Sequence, residues 1–291
     1  IVRAEGKSKE AMNGVLIGTV LNIVLDPVFI LWLDYGIAGA AWATVIGYTV
    51  ATAYYVLLLT GKRSGLTISL SRFNLKAETA APVFAIGIPA SLNCIMMSVS
   101  TIILNVCLVS YGDRVVAAMG VASKVIMMVV LVQLGLGQGI QPLLGYCYGA
   151  RRWDRFKAVM RLSLLAGLGM GISLTLLCGW FSDSLVACFI DSESIREYGV
   201  PFVRTLLLSG PVMGVLFIYI NALQAVGAAG YSFLLSISRQ GIIFIPCLLL
   251  FDRLFRLGGA VAAQPVADVL SLLLAVCLFL RTKKRMKETV V

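Results

Sequence analysis

Three oxygen-bearing side chains, Asn22, Asp26 and Thr44, are spaced so that they can share one site. Asn22 and Asp26 are one helical turn apart, so a helix places both side chains on the same face. Asp26 lies nine residues before Tyr35 and Thr44 nine residues after it, so both are about 13 Å from that turn at 1.5 Å per residue. A carboxylate, an amide oxygen and a hydroxyl suit Na⁺, and Asp26 alone suits H⁺.

Asp26 is the most unusual of these residues because it interrupts an apolar run. A carboxyl group inside a membrane-spanning helix costs roughly 2.5–3.5 kcal/mol on insertion scales, so it faces a partner or a cavity. Pro27 follows it and frees a backbone carbonyl one turn earlier, close to the carboxylate. The alternative is a structural kink in which a threonine or a water satisfies Asp26.

Arg239 and Asp268 form a second candidate pair. Counted from the turn near Phe255, they lie about 24 Å and 20 Å deep, and such similar depths predict an ion pair, either a structural clamp or a coupling site. Lys124 lies about 16 Å from the turn at Asp113 and is expected to line a substrate cavity. The uncharged polar residues predicted for the same cavity, or alternatively for helix packing, are Asn93, Gln133, Gln141, Asn221 and Gln224.

The elements that carry these residues are membrane spans. The chain has 291 residues, of which 59% are hydrophobic and 13% are charged, about half the charged share of a soluble domain. Its mean hydropathy is +0.95. The sequence has no His, which removes His-based metal sites and Ser–His or Cys–His nucleophile pairs. We therefore expect an all-α polytopic membrane protein that is not an enzyme.

Eight apolar runs reach the length of about 20 residues that crosses a bilayer. The spans are expected near 11–33, 38–60, 82–110, 116–147, 156–181, 201–225, 232–251 and 258–280. Basic residues gather at both ends of the chain and in alternate connections, whereas the 182–199 loop is acidic. The positive-inside rule then predicts a multi-pass protein of the plasma (inner) membrane with both ends of this segment in the cytoplasm.

An internal repeat predicts how these spans are organised. A proline and a Gly-Ala pair recur at an offset of 219 to 220 residues, the prolines being Pro27 and Pro246. The repeat predicts two six-helix lobes related by an axis along the membrane normal. Residues 1–60 would be the last two helices of the N-lobe, 61–79 a cytoplasmic inter-lobe linker and 80–291 the six-helix C-lobe. About four further spans are then expected before residue 1.

Several motifs resemble one known family. The run Leu21–Pro27 (LNIVLDP) followed by Gly39–Thr44 (GAAWAT) resembles the fifth and sixth helices of multidrug and toxic compound extrusion (MATE) transporters. The stretches Ile88–Ser91, Gln141–Ala150 and Ser238–Gln240 resemble the second lobe of that family. The resemblance implies twelve helices in two lobes, and export of cationic or amphipathic organic compounds in exchange for Na⁺ or H⁺ by alternating access.

The same resemblance implies that Asn22, Asp26 and Thr44 match three members of the family's first-lobe cation site. The remaining acid of that site would lie on the family's first helix. Some members carry an acid on the seventh helix, but 82–110 contains neither Asp nor Glu. Coupling through the first lobe is therefore favoured, with Na⁺ or H⁺ as the coupling ion and no other cofactor.

The expected partners are a small-molecule substrate and the lipid bilayer, without nucleic acid, and the protein is expected to act as a monomer. The alternative within the superfamily is a flippase for lipid-linked oligosaccharides, which would carry several cavity cations where this sequence offers Lys124. An intramembrane enzyme would have to rest on Asp26 and Asp268, which are assigned to different lobes. A channel is excluded only by the resemblance.

Overall fold

The computed structural model describes residues 7–60, 77–190 and 192–288, and every regular element in these ranges is helical. The α-helices are α1 (Ser8–Pro27), α2 (Gly36–Thr60), α3 (Ala77–Val109), α4 (Asp113–Gly149), α5 (Trp153–Trp180), α6 (Ser182–Phe189), α7 (Glu193–Leu207), α8 (Gly210–Ala225), α9 (Ala229–Ile237) and α10 (Phe244–Glu288). Two π-helical turns, Val28–Trp32 and Ser238–Ile242, follow α1 and α9. The chain divides into two compact units, Ile1–Thr79 and Ala80–Val291.

The first unit is a hairpin of α1 and α2. Glycines at the contact let the two backbones approach closely, since a Cβ atom on Gly47 would lie only 2.8 Å from the carbonyl oxygen of Gly18. Such small-residue contacts are the usual way in which apolar membrane helices pack. Farther along the hairpin, the Tyr55 hydroxyl donates to the carbonyl of Ala11 at 2.6 Å. These contacts fix the register of α2 against α1.

The second unit is built around α4, which packs against α5, α7 and α8, while α10 packs against α7 and α8. Its buried apolar residues form two clusters. One cluster includes Val125, Val203 and Leu248, and the other includes Leu216 and Leu223. Two separate clusters of buried apolar side chains therefore hold the helices of this unit together.

A break separates α7 from α8, which are bent by 45° relative to each other. Gly210 and Pro211 stand at the start of α8, and proline has no backbone N–H to continue a helix. Side chains from neighbouring helices bond to the carbonyls at the break. Gln133 Nε2 donates to the Gly210 oxygen at 2.8 Å and Thr175 Oγ1 donates to the Leu207 oxygen at 3.0 Å. These two hydrogen bonds pair backbone carbonyls on both sides of the bend.

The predicted spans 232–251 and 258–280 lie in one helical run of 53 residues, Gly230–Thr282. Within α10, Arg256 has φ 52° and ψ −138°, which is not helical. The chain reverses at this residue: Arg239 and Asp268 are 17 and 12 residues away from it along the chain, yet their side chains touch. The run is therefore a hairpin of two spans.

The number of spans differs from the expected eight. In the described ranges five helical runs are long and apolar enough to cross a membrane, or six if the bent pair counts as one span. The Gly230–Thr282 hairpin counts once here, and from the 82–110 span only a shorter apolar helix, Cys94–Val109, is counted. The all-α architecture is confirmed, while the count of eight stays a prediction.

Two other regions bear on the sequence analysis. Residues 182–199, predicted as a loop, form α6 and the first half of α7. The expected linker falls mostly on residues 61–76, which lie outside the described residues, as does Arg3 at the start of the chain. The assignment of 1–60, 61–79 and 80–291 to two lobes and a linker remains a proposal.

Candidate ion-binding sites

Asn22, Asp26 and Thr44 meet within the first unit. Asn22 Nδ2 lies 3.5 Å from Asp26 Oδ1 and 3.3 Å from Thr44 Oγ1, so the amide bridges the carboxylate and the hydroxyl. Thr44 donates its own hydrogen to the carbonyl of Ala40 at 2.9 Å. Asn22 and Asp26 are half-buried and Thr44 is exposed. Both distances from Asn22 are long for a hydrogen bond, so the contacts within the group are weak.

The backbone beside Asp26 is irregular for a reason that the sequence contains. Pro27 has no N–H, so the carbonyl of Ile23 loses the donor that a regular helix would supply four residues later. The next turn widens into the π-helical segment Val28–Trp32, where the Leu33 N–H donates to the Val28 carbonyl at 3.0 Å. Single π-helical turns inside helices are frequent at functional sites. Asp26 therefore lies next to backbone oxygen that is not committed to a regular helix.

The chemistry of this group is that of a hard cation or a proton. Its donors are a carboxylate, an amide and a hydroxyl, which are oxygen ligands of the kind that Na⁺ takes. In the described ranges no cluster of three or more His, Cys, Asp or Glu side chains is arranged to hold a metal ion. The group thus has the composition of a monovalent ion site with one carboxylate.

Arg239 and Asp268 also meet, in the second unit. Arg239 Nε donates to Asp268 Oδ1 at 2.7 Å, and Gln264 Nε2 donates to the same oxygen at 3.2 Å. The guanidinium lies 5.5 Å from the centre of the Phe217 ring and 3.8 Å from the sulfur of Met213. Asp268 is fully buried and the Arg239 side chain is 12% exposed. The pair is a buried, charge-assisted hydrogen bond rather than a surface contact.

One half of this carboxylate has no partner. Asp268 Oδ2 is buried without a hydrogen bond to any described residue, and the same holds for the hydroxyls of Ser271 and Ser232. Buried polar atoms are almost always paired in proteins, and an unpaired one marks a bound water, an ion or a functional role. Neither serine stands out in the sequence, because single serines are common in apolar helices.

The residues predicted for a substrate cavity occupy different environments. Gln133 and Asn221 are buried and bond to backbone carbonyls, those of Gly210 and Phe217. Lys124 and Gln224 are exposed and Gln141 is half-buried, while the side chain of Asn93 lies outside the described residues. These hydrogen bonds indicate that Gln133 and Asn221 contribute to helix packing. A substrate role for this set remains a prediction.

Two polar contacts that the sequence did not indicate join α3, and the turn that follows it, to the hairpin of the second unit. The Tyr111 hydroxyl donates to Asp252 Oδ1 at 2.9 Å, and the Ser100 hydroxyl donates to the carbonyl of Gln240. Gln240 belongs to the π-helical turn that carries Arg239. The Ser100 hydrogen bond therefore joins α3 to the π-helical turn that carries Arg239.

An exposed ion pair joins α6 to α7. Arg196 Nε donates to Asp183 Oδ1 at 2.7 Å, and a second guanidinium nitrogen donates to Asp183 Oδ2. These hydrogen bonds hold the pKa of the Asp183 carboxyl below its ordinary value, because they favour the ionised form. The side chains are 57% and 42% exposed for Asp183 and Arg196, so water screens much of the attraction.

Comparison with known proteins gives relatives along the whole chain. The multidrug export protein MepA of Staphylococcus saprophyticus is 26% identical over 284 residues, which are 98% of this chain and 62% of MepA. MepA of Staphylococcus aureus is 28% identical over 288 residues, again 98% of this chain and 62% of the relative. The chain thus spans about 62% of the length of these relatives.

Solved structures share the fold. The outward-facing conformation of a multidrug resistance MATE family transporter of the MOP superfamily has a TM-score of 0.84 at 23% identity, covering 99% of this chain and 64% of that one. The Vibrio cholerae MATE transporter VcmN has a TM-score of 0.86 at 21% identity, covering 98% and 64%. A MOP superfamily transporter from Pyrococcus furiosus, for which a reversed polarity of the binding pocket suggests a different function, has a TM-score of 0.86 at 23% identity and covers 98% of this chain and 64% of that one.

A family match complements these similarities. The model of the MatE family matches residues 89–249, which are more than half of the chain. The matched range includes Gln133, the break between α7 and α8, and Arg239. Together with the apolar spans, the match identifies a multi-pass membrane protein, and the chain belongs to the MATE family.

Proposed function

We propose that the protein is a secondary active antiporter that exports cationic or amphipathic organic compounds in exchange for Na⁺ or H⁺ by alternating access. The observation that carries the proposal is the group formed by Asn22, Asp26 and Thr44 beside a π-helical turn. A carboxylate inside an apolar membrane hairpin is energetically costly, and such residues usually serve a function. The relatives named multidrug export proteins support the choice of substrate class.

The coupling step follows from the geometry of the group. The Asn22 amide directs Nδ2 at both Asp26 and Thr44. Rotation of the amide by half a turn would present its oxygen instead, so that three side-chain oxygens face one point and bind Na⁺. A proton needs no such rotation, because it binds to Asp26 directly. An ion bound in one state of the transporter and released in the other then shifts the balance between these states by its difference in affinity.

Transport assays test this proposal. Cells that express the protein are loaded with a fluorescent organic cation, and its efflux is followed under an imposed Na⁺ gradient or an imposed pH gradient. We expect efflux driven by one of the two gradients, and none from Asp26→Asn at matched expression. Movement of a fluorescent lipid-linked oligosaccharide, with no efflux of the dye, would overturn the proposal in favour of the flippase alternative.

The orientation and the lobes belong to the same proposal. Both ends of this segment would face the cytoplasm, with 1–60 as part of the N-lobe and 80–291 as the C-lobe. Arg151 and Arg152, between α4 and α5, and Arg155, in the first turn of α5, would then be cytoplasmic. Single-cysteine labelling of this connection with a membrane-impermeant reagent in intact cells tests the orientation. Labelling from outside would show that the orientation is the opposite of the proposed one.

A further inference from the structure

In the second unit, Asp268 Oδ2 and the hydroxyls of Ser271 and Ser232 are buried without a hydrogen-bond partner among the described residues. Asp268 Oδ1 accepts from Arg239 and Gln264, whereas Asp268 Oδ2 accepts from no described residue. We propose that Asp268 Oδ2 binds a proton and that Ser271 and Ser232 form its access route. This inference adds a second coupling group to the proposed antiport, so its role in transport rests on the proposed function.

The register of the hairpin places the two serines on one side of the ion pair. Since the chain reverses at Arg256 and joins Arg239 to Asp268, residues that precede Arg239 lie beside residues that follow Asp268. Ser271 is therefore about one turn, roughly 4.5 Å, beyond Asp268, and Ser232 is about two turns before Arg239. Both lead from the ion pair towards the end of α10 that carries Arg281.

A proton fits this site better than a metal cation does. Arg239 and Gln264 already donate to Oδ1, which leaves one carboxylate oxygen, whereas a metal cation takes several oxygen ligands and a proton needs only one. A proton on Oδ2 instead neutralises the carboxylate and leaves the geometry at Oδ1 in place. The proton comes from water, and each serine hydroxyl that passes one on receives another, so the hydroxyls are unchanged.

The surroundings of Arg239 allow its partner to become neutral. The guanidinium keeps the Phe217 ring at 5.5 Å and the Met213 sulfur at 3.8 Å, which do not depend on the charge of Asp268. A cation held over an aromatic face is stabilised by the ring even where water is scarce. Protonation thus weakens the link between the two arms of the hairpin, while Arg239 keeps its contacts with Phe217 and Met213.

The other ionisable groups on the elements that pack against α10 are engaged elsewhere or lie apart. On α8, Tyr219 packs on Phe279, which is eleven residues beyond Asp268. On α7, Arg196 and Arg204 are bound to Asp183 and Ser182 of α6. The remaining ionisable groups whose side chains the structure describes on these elements are Glu193, Glu197 and Tyr198 on α7, Tyr231 on α9 and Cys247, Asp252, Arg253, Arg256, Cys277 and Arg281 on α10 itself. Within the described part of the chain, Arg239 is the charged group in contact with Asp268.

The link to the rest of the unit gives the proton a mechanical effect. Arg239 belongs to the π-helical turn Ser238–Ile242, and the next residue, Gln240, accepts the hydrogen bond of Ser100 on α3. When Asp268 is protonated and releases Arg239, the turn is free to shift and α3 moves with it. The site therefore couples one protonation event to the position of a neighbouring helix.

Infrared difference spectroscopy of the purified protein tests the site without transport. Between alkaline and acid buffer we expect the band of an unionised carboxylic acid that shifts in D₂O, is lost in Asp268→Asn and persists in Asp26→Asn. A spectrum in which Asp268→Asn keeps every such band would overturn the proposal. A dye assay that shows no efflux, together with an intact Asp268 band, would remove the proposed transport function and leave the proton site standing.

A second variant is needed because Asp268→Asn leaves Arg239 unpaired and can therefore misfold. Ser271→Ala keeps the ion pair and removes a buried, unpartnered hydroxyl about one helical turn beyond Asp268. We expect proton uptake after a pH jump to be slower by roughly five- to tenfold, the effect of one ordinary hydrogen bond. The matched control is Ser163→Ala, since Ser163 is equally buried but donates to its own helix at Val159. Equal uptake rates in the two variants would show that Ser271 is not on the route.

Discussion

Gly18 and Gly47 face each other so closely that a Cβ atom on Gly47 would lie 2.8 Å from the Gly18 carbonyl oxygen and 3.3 Å from the Cβ atom of Asn22. This contact lies one turn from the polar group, because Asn22 follows Gly18 by four residues and Thr44 precedes Gly47 by three. The absence of two side chains therefore brings the amide of Asn22 within reach of the Thr44 hydroxyl.

Gly47→Ala is expected to separate α1 from α2 and to weaken the polar group. Forcing a methyl group into a packed contact costs about 1–3 kcal/mol, so we expect a lower melting temperature in detergent and slower dye efflux. Gly120→Ala is the control, because a Cβ atom there meets nothing within 4 Å. Equal melting temperatures and equal efflux in the two variants would show that the close approach is not required.

Asp26→Asn is expected to abolish efflux while membrane insertion is retained. The change removes the charge that ion exchange needs, and an amide is cheaper to place in an apolar helix than a carboxylate. Dye efflux at matched expression measures the first effect, and the amount of protein in the membrane fraction measures the second. Efflux close to that of the wild type would return Asp26 to a structural role beside the Pro27 kink.

Thr44→Val is expected to separate Na⁺ coupling from H⁺ coupling. A Na⁺ site loses one of its oxygen ligands, so efflux should require a higher Na⁺ concentration, whereas a proton on Asp26 needs no hydroxyl from Thr44. Thr49→Val is a matched control, because Thr49 is also exposed on α2 and donates to its own helix at Val45. A Na⁺ dependence that changes equally in both variants would argue against Thr44 as a ligand.

The Arg239–Asp268 pair is expected to show strong coupling in a double-mutant cycle. Removing one partner leaves a buried charge unpaired and should cost about 3–5 kcal/mol, whereas removing both should cost less than the sum of the single changes. Thermal unfolding of Arg239→Ala, Asp268→Ala and the double variant measures these changes in the free energy of unfolding. The same cycle on the exposed Asp183–Arg196 pair should show little coupling, and additive losses at Arg239 and Asp268 would exclude the pair.

Acid should loosen the contact between α6 and α7. The pKa of Asp183 is lowered by its hydrogen bonds to Arg196, so the contribution of the pair to stability is complete above the ordinary pKa of an aspartate. It is lost as the pH falls through the lowered value. Thermal melting across acid buffers should show a small decline in the wild type that is missing in Asp183→Asn. An identical pH dependence in both proteins would contradict this assignment.

Composition and spacing alone determined much of the protein. A chain that is 59% hydrophobic and 13% charged has to fold as apolar helices in a membrane, because only helices or closed barrels satisfy every backbone group there. The spacing of Asn22 and Asp26 placed them on one face, and Pro27 marked the irregular turn beside them. The near-equal depths of Arg239 and Asp268 made their contact predictable, since both lie on neighbouring arms of a hairpin.

The tertiary structure decided how these helices are rotated and where they break. The π-helical turns Val28–Trp32 and Ser238–Ile242 rotate the side chains that follow them about the helix axis. The spacing of apolar residues in the sequence does not predict this rotation. The free oxygen of Asp268 and the hydroxyls of Ser271 and Ser232 stand out only once the helices are packed. Which face of an apolar helix is buried depends on small residues that are distant in sequence, so neighbouring helices, and not the helix itself, determine which polar atoms remain without a partner.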